Sequence, residues 1–328
     1  MAASGSRGPA GESQRYDVIL AGGGAAGLSL AYQLNRALPN LTMLIVDEQV
    51  KDRNDHTWCY WSAEPTYVDA LAYRTWDSLA LRSGTDQLKI DLAPYRYHMV
   101  RAIDFYRFMR EALASRPGVQ FLRGTIRDIS DGHTPIGGRR PSTEFPVARS
   151  DAARESSGPD EDGGFAEVVV NGIAYRSTWL FDSRYRADEY RPLTRRYHYL
   201  IQHFLGWEIE TEKAVFDPEL PTMFDFRTPQ HGAMRFFYVL PYAENQGLVE
   251  YTIFSADILP VDAYRRALRD YLAQTLGASR YRILEEERDL IPMTDHPHPR
   301  RAGRHVLNVG TRGGRVKPSS GYAFRRIQ

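Results

Sequence analysis

The chain has a single cysteine, Cys59, among 328 residues. No disulfide can form within it, which fits a reducing compartment. It also carries almost no net charge, +1 from 42 Lys and Arg against 41 Asp and Glu, which argues against a whole-surface attraction to nucleic acid. No apolar run approaches the about 20 residues of a membrane-spanning helix. Membrane contact is therefore expected to be peripheral and the chain cytoplasmic. Residues 1–15 lack the apolar stretch of a secretory leader and read as a loose tail. Neither Ser183 nor Ser320 stands in a G-x-S-x-G setting, which argues against a serine hydrolase. Asp55-His56 and Asp295-His296-Pro297-His298-Pro299 lack familiar zinc spacing, so no metal is expected. From residue 300 onward acids are absent while Arg300, Arg301, Arg304, Arg312, Arg315, Lys317, Arg325 and Arg326 follow. That run is either a solvated face or a contact for cofactor phosphates or anionic lipid headgroups.

What is present begins with Tyr16-Asp17-Val18-Ile19-Leu20-Ala21, an apolar strand running into Gly22-Gly23-Gly24-Ala25-Ala26-Gly27. Residues 28–38 then have helical character. This is G-x-G-x-x-G in the strand-turn-helix setting of a dinucleotide site. Gly22 permits the tight turn, Gly24 lets backbone approach a pyrophosphate, and Gly27 lets helix and strand pack closely; the helix start offers unpaired N–H groups. A second strand over residues 41–46 ends at Asp47, placed to accept hydrogen bonds from an adenosine ribose, with Glu48 as the alternative. The pattern alone leaves FAD and NAD open.

The length suggests two domains or one large mixed domain. Residues 103–113 have an apolar stripe, Ile103, Phe105, Tyr106, Phe108, Met109, Ala112 and Leu113, opposite Arg107, Arg110 and Glu111. A helix packed on a sheet is expected there. Residues 132–164 are too poor in apolar side chains to offset the entropy of ordering them. They are expected to form a disordered insertion between neighbouring strands at 119–122 and 166–170. A further strand is expected at 175–181. From residue 197 to 254 the chain becomes strand-rich and aromatic, the pattern of an antiparallel sheet, before a helix at 263–276 and a strand at 305–309.

Within Gly247-Leu248-Val249-Glu250-Tyr251-Thr252-Ile253-Phe254, alternation puts Leu248, Glu250, Thr252 and Phe254 on one face. Glu250 is then a carboxyl among apolar neighbours. Desolvation would keep it protonated as a general acid; the alternative is an ion pair, for instance with Arg235 across the hairpin. The run from Asn308 to Tyr322 reads as a strand, a glycine loop containing Gly310, Gly313 and Gly314, and a helix start. Such a loop would let backbone approach a flat ligand.

Taken together, these segments resemble the bacterial lycopene beta-cyclase family. The resemblance rests on the N-terminal glycines with Asp47, Asn54-Asp55-His56-Thr57-Trp58, Phe181-Asp182-Ser183-Arg184, Leu240-Pro241 with Val249-Glu250-Tyr251-Thr252, and Ile291-Pro292-Met293-Thr294-Asp295-His296. The stretch Gly310-Thr311-Arg312-Gly313-Gly314 through Lys317-Pro318-Ser319-Ser320-Gly321-Tyr322 is the closest match. The resemblance implies an α/β flavoprotein: a Rossmann-like FAD-binding domain of the hydroxylase type with an interleaved antiparallel substrate domain. The expected division gives 16–62, 99–188 and 288–328 to the FAD-binding domain, and 63–98 and 189–287 to the substrate domain.

By that resemblance the FAD is held by Gly22, Gly24, Ala25, Ala26, Gly27, Asp47, Gly310, Gly313 and Gly314, and is used reduced, with NAD(P)H as electron source. The substrate is lycopene or another acyclic carotenoid, met at a membrane surface. Glu250 takes the place of the family's essential acid, protonating a terminal double bond so that the neighbouring one closes the ring before a proton is lost. Aromatic strands from Phe236 to Phe254 are expected to line an apolar tunnel. The chain departs from the family pattern in having Tyr251 where a second acid often stands, Gly310-Thr311 where Gly-Asp is usual, and Asp55 between Asn54 and His56. Residues 322–328 read as the first two turns of a helix, and the family usually continues beyond. An FAD-dependent monooxygenase or prenyl reductase of the same fold, and a noncatalytic carotenoid carrier, are the competing readings.

Overall fold

The computed structural model describes residues 14–132, the backbone of 134–136, and residues 164–186 and 196–328. The N-terminal tail and most of the expected insertion lie outside the described residues. By contacts the chain forms two compact units: Met1–Val50, Glu111–Arg184 and Pro299–Gly313, and Lys51–Arg110, Tyr185–His298 and Gly314–Gln328. Residues 51–62, 99–110, 185–188, 288–298 and 314–328, which the sequence grouped with the first module, group by contacts with the second.

In the first unit the apolar segment β1 (Arg15–Ala21) is the centre of a mainly parallel sheet. β1 pairs in parallel with β2 (Met43–Asp47) and with β12 (Ile173–Asp182); β2 pairs with β8 (Val119–Arg123), and β12 with β18 (Val306–Asn308). Helix α1 (Ala25–Ala37) follows β1. Beyond β12 the order continues antiparallel through β11 (Ala166–Val170), β9 (Ile126–Asp131) and β10 (Thr134–Ile136). The expected insertion is corrected on two points. Residues 134–136 are a paired strand, and the antiparallel neighbour of β11 is β9, whereas residues 119–122 lie in β8 beside β2. Ile19, Leu44, Val46, Val168, Leu180 and Val306 form the core of this sheet.

The second unit holds two sheets. One runs β17 (Tyr281–Thr294), β13 (Tyr199–Thr211), β16 (Gln246–Ser255), β15 (Met234–Ala243), β14 (Thr222–Asp225), β5 (Ser78–Ser83) and β6 (Asp86–Asp91). The other joins β3 (Thr57–Ser62), β7 (Arg96–Arg101) and β4 (Arg74–Trp76). Helix α3 (Val261–Gln274) covers one face of the larger sheet, its Tyr264, Leu268, Tyr271 and Leu272 packing on Leu205, Trp207, Ile209, Val249, Tyr251 and Ile253. Helix α2 (Ala102–Ala114), whose residues up to Arg110 belong to this unit, buries Phe105, Tyr106 and Met109 and leaves Arg107 exposed, as its stripe required, whereas Arg110, expected opposite the stripe, is half-buried. The ring of Trp58 meets Phe105 edge-on at 5.3 Å.

The chain ends differently from its pattern. After Gly314 come turns, and helix α4 is only Phe324–Ile327. The glycine loop is therefore not followed directly by a helix N-terminus, and the expected two-turn helix is one turn. Pro318 and Gly321, the latter at φ 71°, set turn conformations that delay it. Among the described residues no helix is long and apolar enough to cross a membrane.

Candidate functional site

In the first unit, the C-terminal ends of the parallel strands bring all the expected cofactor residues but Gly314 together, the place where open α/β sheets bind ligands. Gly22 has φ 111°, and a Cβ there would stand 2.2 Å from Ser183 Oγ. A Cβ at Gly27 would stand 1.9 Å from the Gly22 carbonyl oxygen. Only glycine fits either position. At Gly24, by contrast, a Cβ would meet nothing within 4 Å, so this backbone is open to approach. Gly24 caps α1 without a side-chain hydrogen bond, leaving the first N–H groups around Ala25 and Ala26 for an anion. Asp47 accepts from the Gly23 N–H at 2.7 Å through Oδ2 and from the Gln49 N–H at 2.8 Å through Oδ1. A carboxylate has about four acceptor sites, so two remain for ribose hydroxyls.

Gly310, at φ 61°, lies against this turn: a Cβ there would be 2.6 Å from Ala26 Cβ. A Cβ at Gly313 would be 2.5 Å from the Asn308 carbonyl oxygen. Gly314 belongs to the second unit, beside His298. Arg312 leaves the basic surface run: its Nε lies 2.9 Å from Asn308 Oδ1 and 3.3 Å from the buried Asp182 Oδ2. Asp182 is also gripped by Arg184, whose Nε lies 2.9 Å from Oδ1. The open Gly24 backbone, the free α1 N-terminus and the spare acceptors of Asp47 fit a dinucleotide.

In the second unit the decisive feature is a row across three strands. Gly206 of β13 stands opposite Glu250 of β16 on one side and Glu287 of β17 on the other. A Cβ on Gly206 would approach Glu250 Cβ and Glu287 Cγ, each to 3.3 Å. The missing side chain gives the two acids their room. Both are buried, at 8% and 5% exposure. Thr252 Oγ1 donates to Glu250 Oε1 at 2.6 Å, and Thr57 Oγ1 donates to Glu287 Oε2 at 2.9 Å. The Glu250 and Glu287 carboxyls hydrogen-bond to each other, which requires a proton on one of them. Burial, then the charge of Glu287, raises Glu250 well above the usual carboxylate range. Burial lifts Glu287 to about 7, opposed by the Thr57 hydrogen bond and the charge of His56.

His56 sits between two acids, Nε2 2.9 Å from Asp289 Oδ2 and Nδ1 3.0 Å from Asp55 Oδ1. Burial opposes its charge, but these partners prevail and raise it to about 10. Asp55, also held by Lys51 at 3.1 Å, is lowered to about 2 despite burial, by His56 and then Lys51. The inserted Asp55 thus serves as one half of a clamp on His56. Tyr238 stands opposite Glu250 in the β15–β16 register, and Tyr97 and Tyr322 hydroxyls meet at 3.0 Å.

The faces of β16 separate two kinds of side chain. Phe236, Tyr238 and Phe254 share the Glu250 face, with Phe236 edge-on to Phe254 at 5.5 Å and to Phe224 at 4.8 Å. Phe237 and Tyr251 face the other way under α3, where Phe237 stacks on Tyr271 at 3.8 Å. The expected aromatic lining is therefore only every second residue of those strands. Arg235 is on the far face too, its Nη1 3.4 Å from Tyr251 Oη, so it forms no ion pair with Glu250. That face also has a cleft of about 300 Å³ lined by Arg227, Arg235, Arg266 and Tyr251, across the sheet from the acids.

The family model for lycopene cyclase protein matches residues 17–328. The chain belongs to the lycopene cyclase family. It is 26% identical over 319 residues to a lycopene beta-cyclase of Paracoccus, covering 94% of this chain and 70% of that protein. Among solved structures it resembles a geranylgeranyl bacteriochlorophyll reductase-like protein from Thermoplasma acidophilum, with TM-score 0.64, 12% identity, and coverage of 96% and 75% of the two chains. A flavin-dependent halogenase from Xanthomonas campestris gives TM-score 0.59 at 13% identity, over 96% and 69%. These structural likenesses are of fold: α/β, with the Rossmann-like sheet and the antiparallel sheet of FAD-dependent reductases and monooxygenases.

In this cyclase-family chain, the sequence singled out Glu250 but left it as the only acid of its motif. Glu287 and Gly206 went unread, and Thr57 was noted only as part of Asn54 to Trp58, with no role. One signal for Gly206 was available, a lone glycine between the apolar strand segments Ile201 to Leu205 and Trp207 to Ile209. Glu287 is hidden by its neighbours Glu285 and Glu286, which look like a solvated charge run.

Proposed function

We propose that this chain is an FAD-dependent lycopene cyclase, closing the linear ends of lycopene to β-ionone rings with no net oxidation. The observation that carries the proposal is Glu250, a buried carboxyl on an aromatic sheet face where burial favours its neutral form. Protonating an alkene needs a neutral acid held away from water, and desolvation provides one.

Glu250 gives its proton to the terminal double bond, and the neighbouring double bond attacks the cation to close the ring. Thr252 orients the acid through Oε1. The π faces of Phe236, Tyr238 and Phe254 favour a nearby cation by about 0.5–2 kcal/mol each. Gly22, Gly24, Ala25, Ala26 and Gly27 would receive the pyrophosphate of FAD, Asp47 its ribose, and Gly310, Gly313 and Gly314 would let backbone approach the ring system. When bound in reduced form, with NAD(P)H as electron source, FAD would supply negative charge of the kind that favours a developing cation. An acyclic carotenoid partitions into lipid, so peripheral contact with the cytoplasmic membrane belongs to the same reading.

The test is expression of the chain, and of Glu250→Gln, in a lycopene-accumulating host with pigment analysis. β-Rings from the first and none from the second, with FAD bound by both, is the expected result. Equal cyclisation by both would remove the acid assignment. Stoichiometric NAD(P)H oxidation per product would turn the reading toward a reductase or monooxygenase.

A further inference from the structure

An acid that protonates a hydrocarbon has to survive the loss of its proton and then recover it. Glu250 is poorly placed to do so alone, being 8% exposed with Oε1 already engaged by Thr252. Its neighbour across the gap at Gly206 is another carboxyl, and that carboxyl leads outward. Glu287 is tied through Oε2 to Thr57, which follows His56 in the chain, and His56 pairs with Asp289. Exposure rises along this sequence, from 5% at Glu287 to 30% and 42% for the side chains of His56 and Asp289.

Resting on the reading of Glu250 as the acid, we propose that Glu287 is the positioning residue of the reaction: it shares a hydrogen bond with Glu250, spreads the negative charge left when the proton departs, and steers the proton back. The protons balance. The Glu250 O–H bond breaks as a C–H bond forms at the alkene; later a C–H bond beside the ring cation breaks, and its proton returns to the carboxyl pair. No electron is gained or lost.

The competent form is the one in which Glu287 is also neutral. Its O–H then donates to the Glu250 carboxylate and avoids two adjacent charges, as in other carboxyl pairs that share a proton. The titratable groups acting on or acted on by Glu287 are Glu250 on β16, Glu208 on β13, Tyr242 on β15, Cys59 on β3 and His56 just before it, while Asp289, further along β17, acts on Glu250. The Thr57 hydrogen bond and the His56 cation favour its ionised form, while burial favours the neutral one. Turnover should therefore fall as pH rises through about 7.

The test uses the FAD-loaded protein with lycopene in vesicles, comparing wild type, Glu287→Gln, Thr57→Val and Glu250→Gln across the neutral range. Gln keeps the volume and can accept from Thr57 but does not titrate. Glu287→Gln is expected to lose the limb near pH 7 and to lower kcat about tenfold or more. Thr57→Val, lacking the donor, is expected to move the limb to higher pH. Infrared titration of the flavin-free protein should show a buried carboxyl ionising near 7 that vanishes in Glu287→Gln. An unchanged limb with kcat within about twofold of wild type in Glu287→Gln overturns the proposal, as does an unmoved limb in Thr57→Val should the first variant fail to fold. Cyclisation by Glu250→Gln would instead sink the underlying reading, so the two failures are distinct.

Discussion

Glu250 and Glu287 face each other across Gly206, on three adjacent strands whose register puts all three residues in one row. A residue with no side chain is what lets two buried acids meet. Extended strands would otherwise interpose a Cβ between them.

Gly206 should therefore be sensitive to size. Alanine would place its Cβ 3.3 Å from each acid and 3.1 Å from Leu248 Cδ1, so neighbours must yield by tenths of an ångström. Gly206→Val should go further, separating the acids and costing about 1–3 kcal/mol as overpacking. Denaturant midpoints, with pigment yield in a lycopene-accumulating host, would check both effects. Unaltered yield from the valine variant would show that the acids act independently.

The acids should also leave a mark on stability against pH. Glu287 is raised from 4.5 in the unfolded chain to about 7 in the fold, so burial favours its protonated form. Its contribution is complete below about 4.5 and is lost as pH rises through about 7. Replacing it with glutamine removes that loss. The melting temperature of Glu287→Gln relative to wild type should rise between pH 5 and pH 8, since each tenfold difference in proton affinity between folded and unfolded chain is worth about 1.4 kcal/mol. His56 behaves as the paired cation: its stabilisation is complete below 6.5 and is lost as pH rises through about 10.

The glycine turn separates folding from cofactor binding. Because nothing lies within 4 Å of a Cβ at Gly24, Gly24→Val should fold with little change in melting temperature. It should nevertheless bind FAD at least about tenfold more weakly, since a side chain now stands where backbone would meet phosphate. Gly27→Ala should fail differently, because its Cβ would overlap the Gly22 carbonyl oxygen at 1.9 Å. Flavin fluorescence on titration, with thermal melts, distinguishes the two. Full FAD affinity in Gly24→Val would place the phosphates elsewhere.

Alternation along the sheet gives adjacent or facing aromatics opposite fates. Phe254, half-buried on the acid face, should lower kcat several-fold as Phe254→Leu, since a cation–π contact is worth about 0.5–2 kcal/mol. Its denaturant midpoint should stay near wild type. Phe237→Leu, which loses the 3.8 Å stack on Tyr271, should be destabilised by about 1 kcal/mol or more with kcat retained per folded molecule. The reverse pattern would mean that the substrate lies on the α3 side.

The local code of the chain was legible wherever one element decides the outcome. The strand, glycines and helix from Tyr16 to Gly27 specify the tight turn between β1 and α1, because torsion angles and close contacts at Gly22 and Gly27 are local requirements. The two-residue period placed Glu250, Thr252 and Phe254 on one face without knowledge of their surroundings. Reading all the aromatics from Phe236 to Phe254 as a lining failed for the same reason, since alternation sends Phe237 and Tyr251 under α3. Tertiary structure alone decided that Glu250 has a second acid for a partner, that Thr57 anchors that acid and that Asp289 pairs with His56. Those relations depend on which strands are neighbours and in what register. A slip of one residue in β17 would turn Glu287 to the opposite face, and no feature within Glu285-Glu286-Glu287 records which of the three faces Glu250.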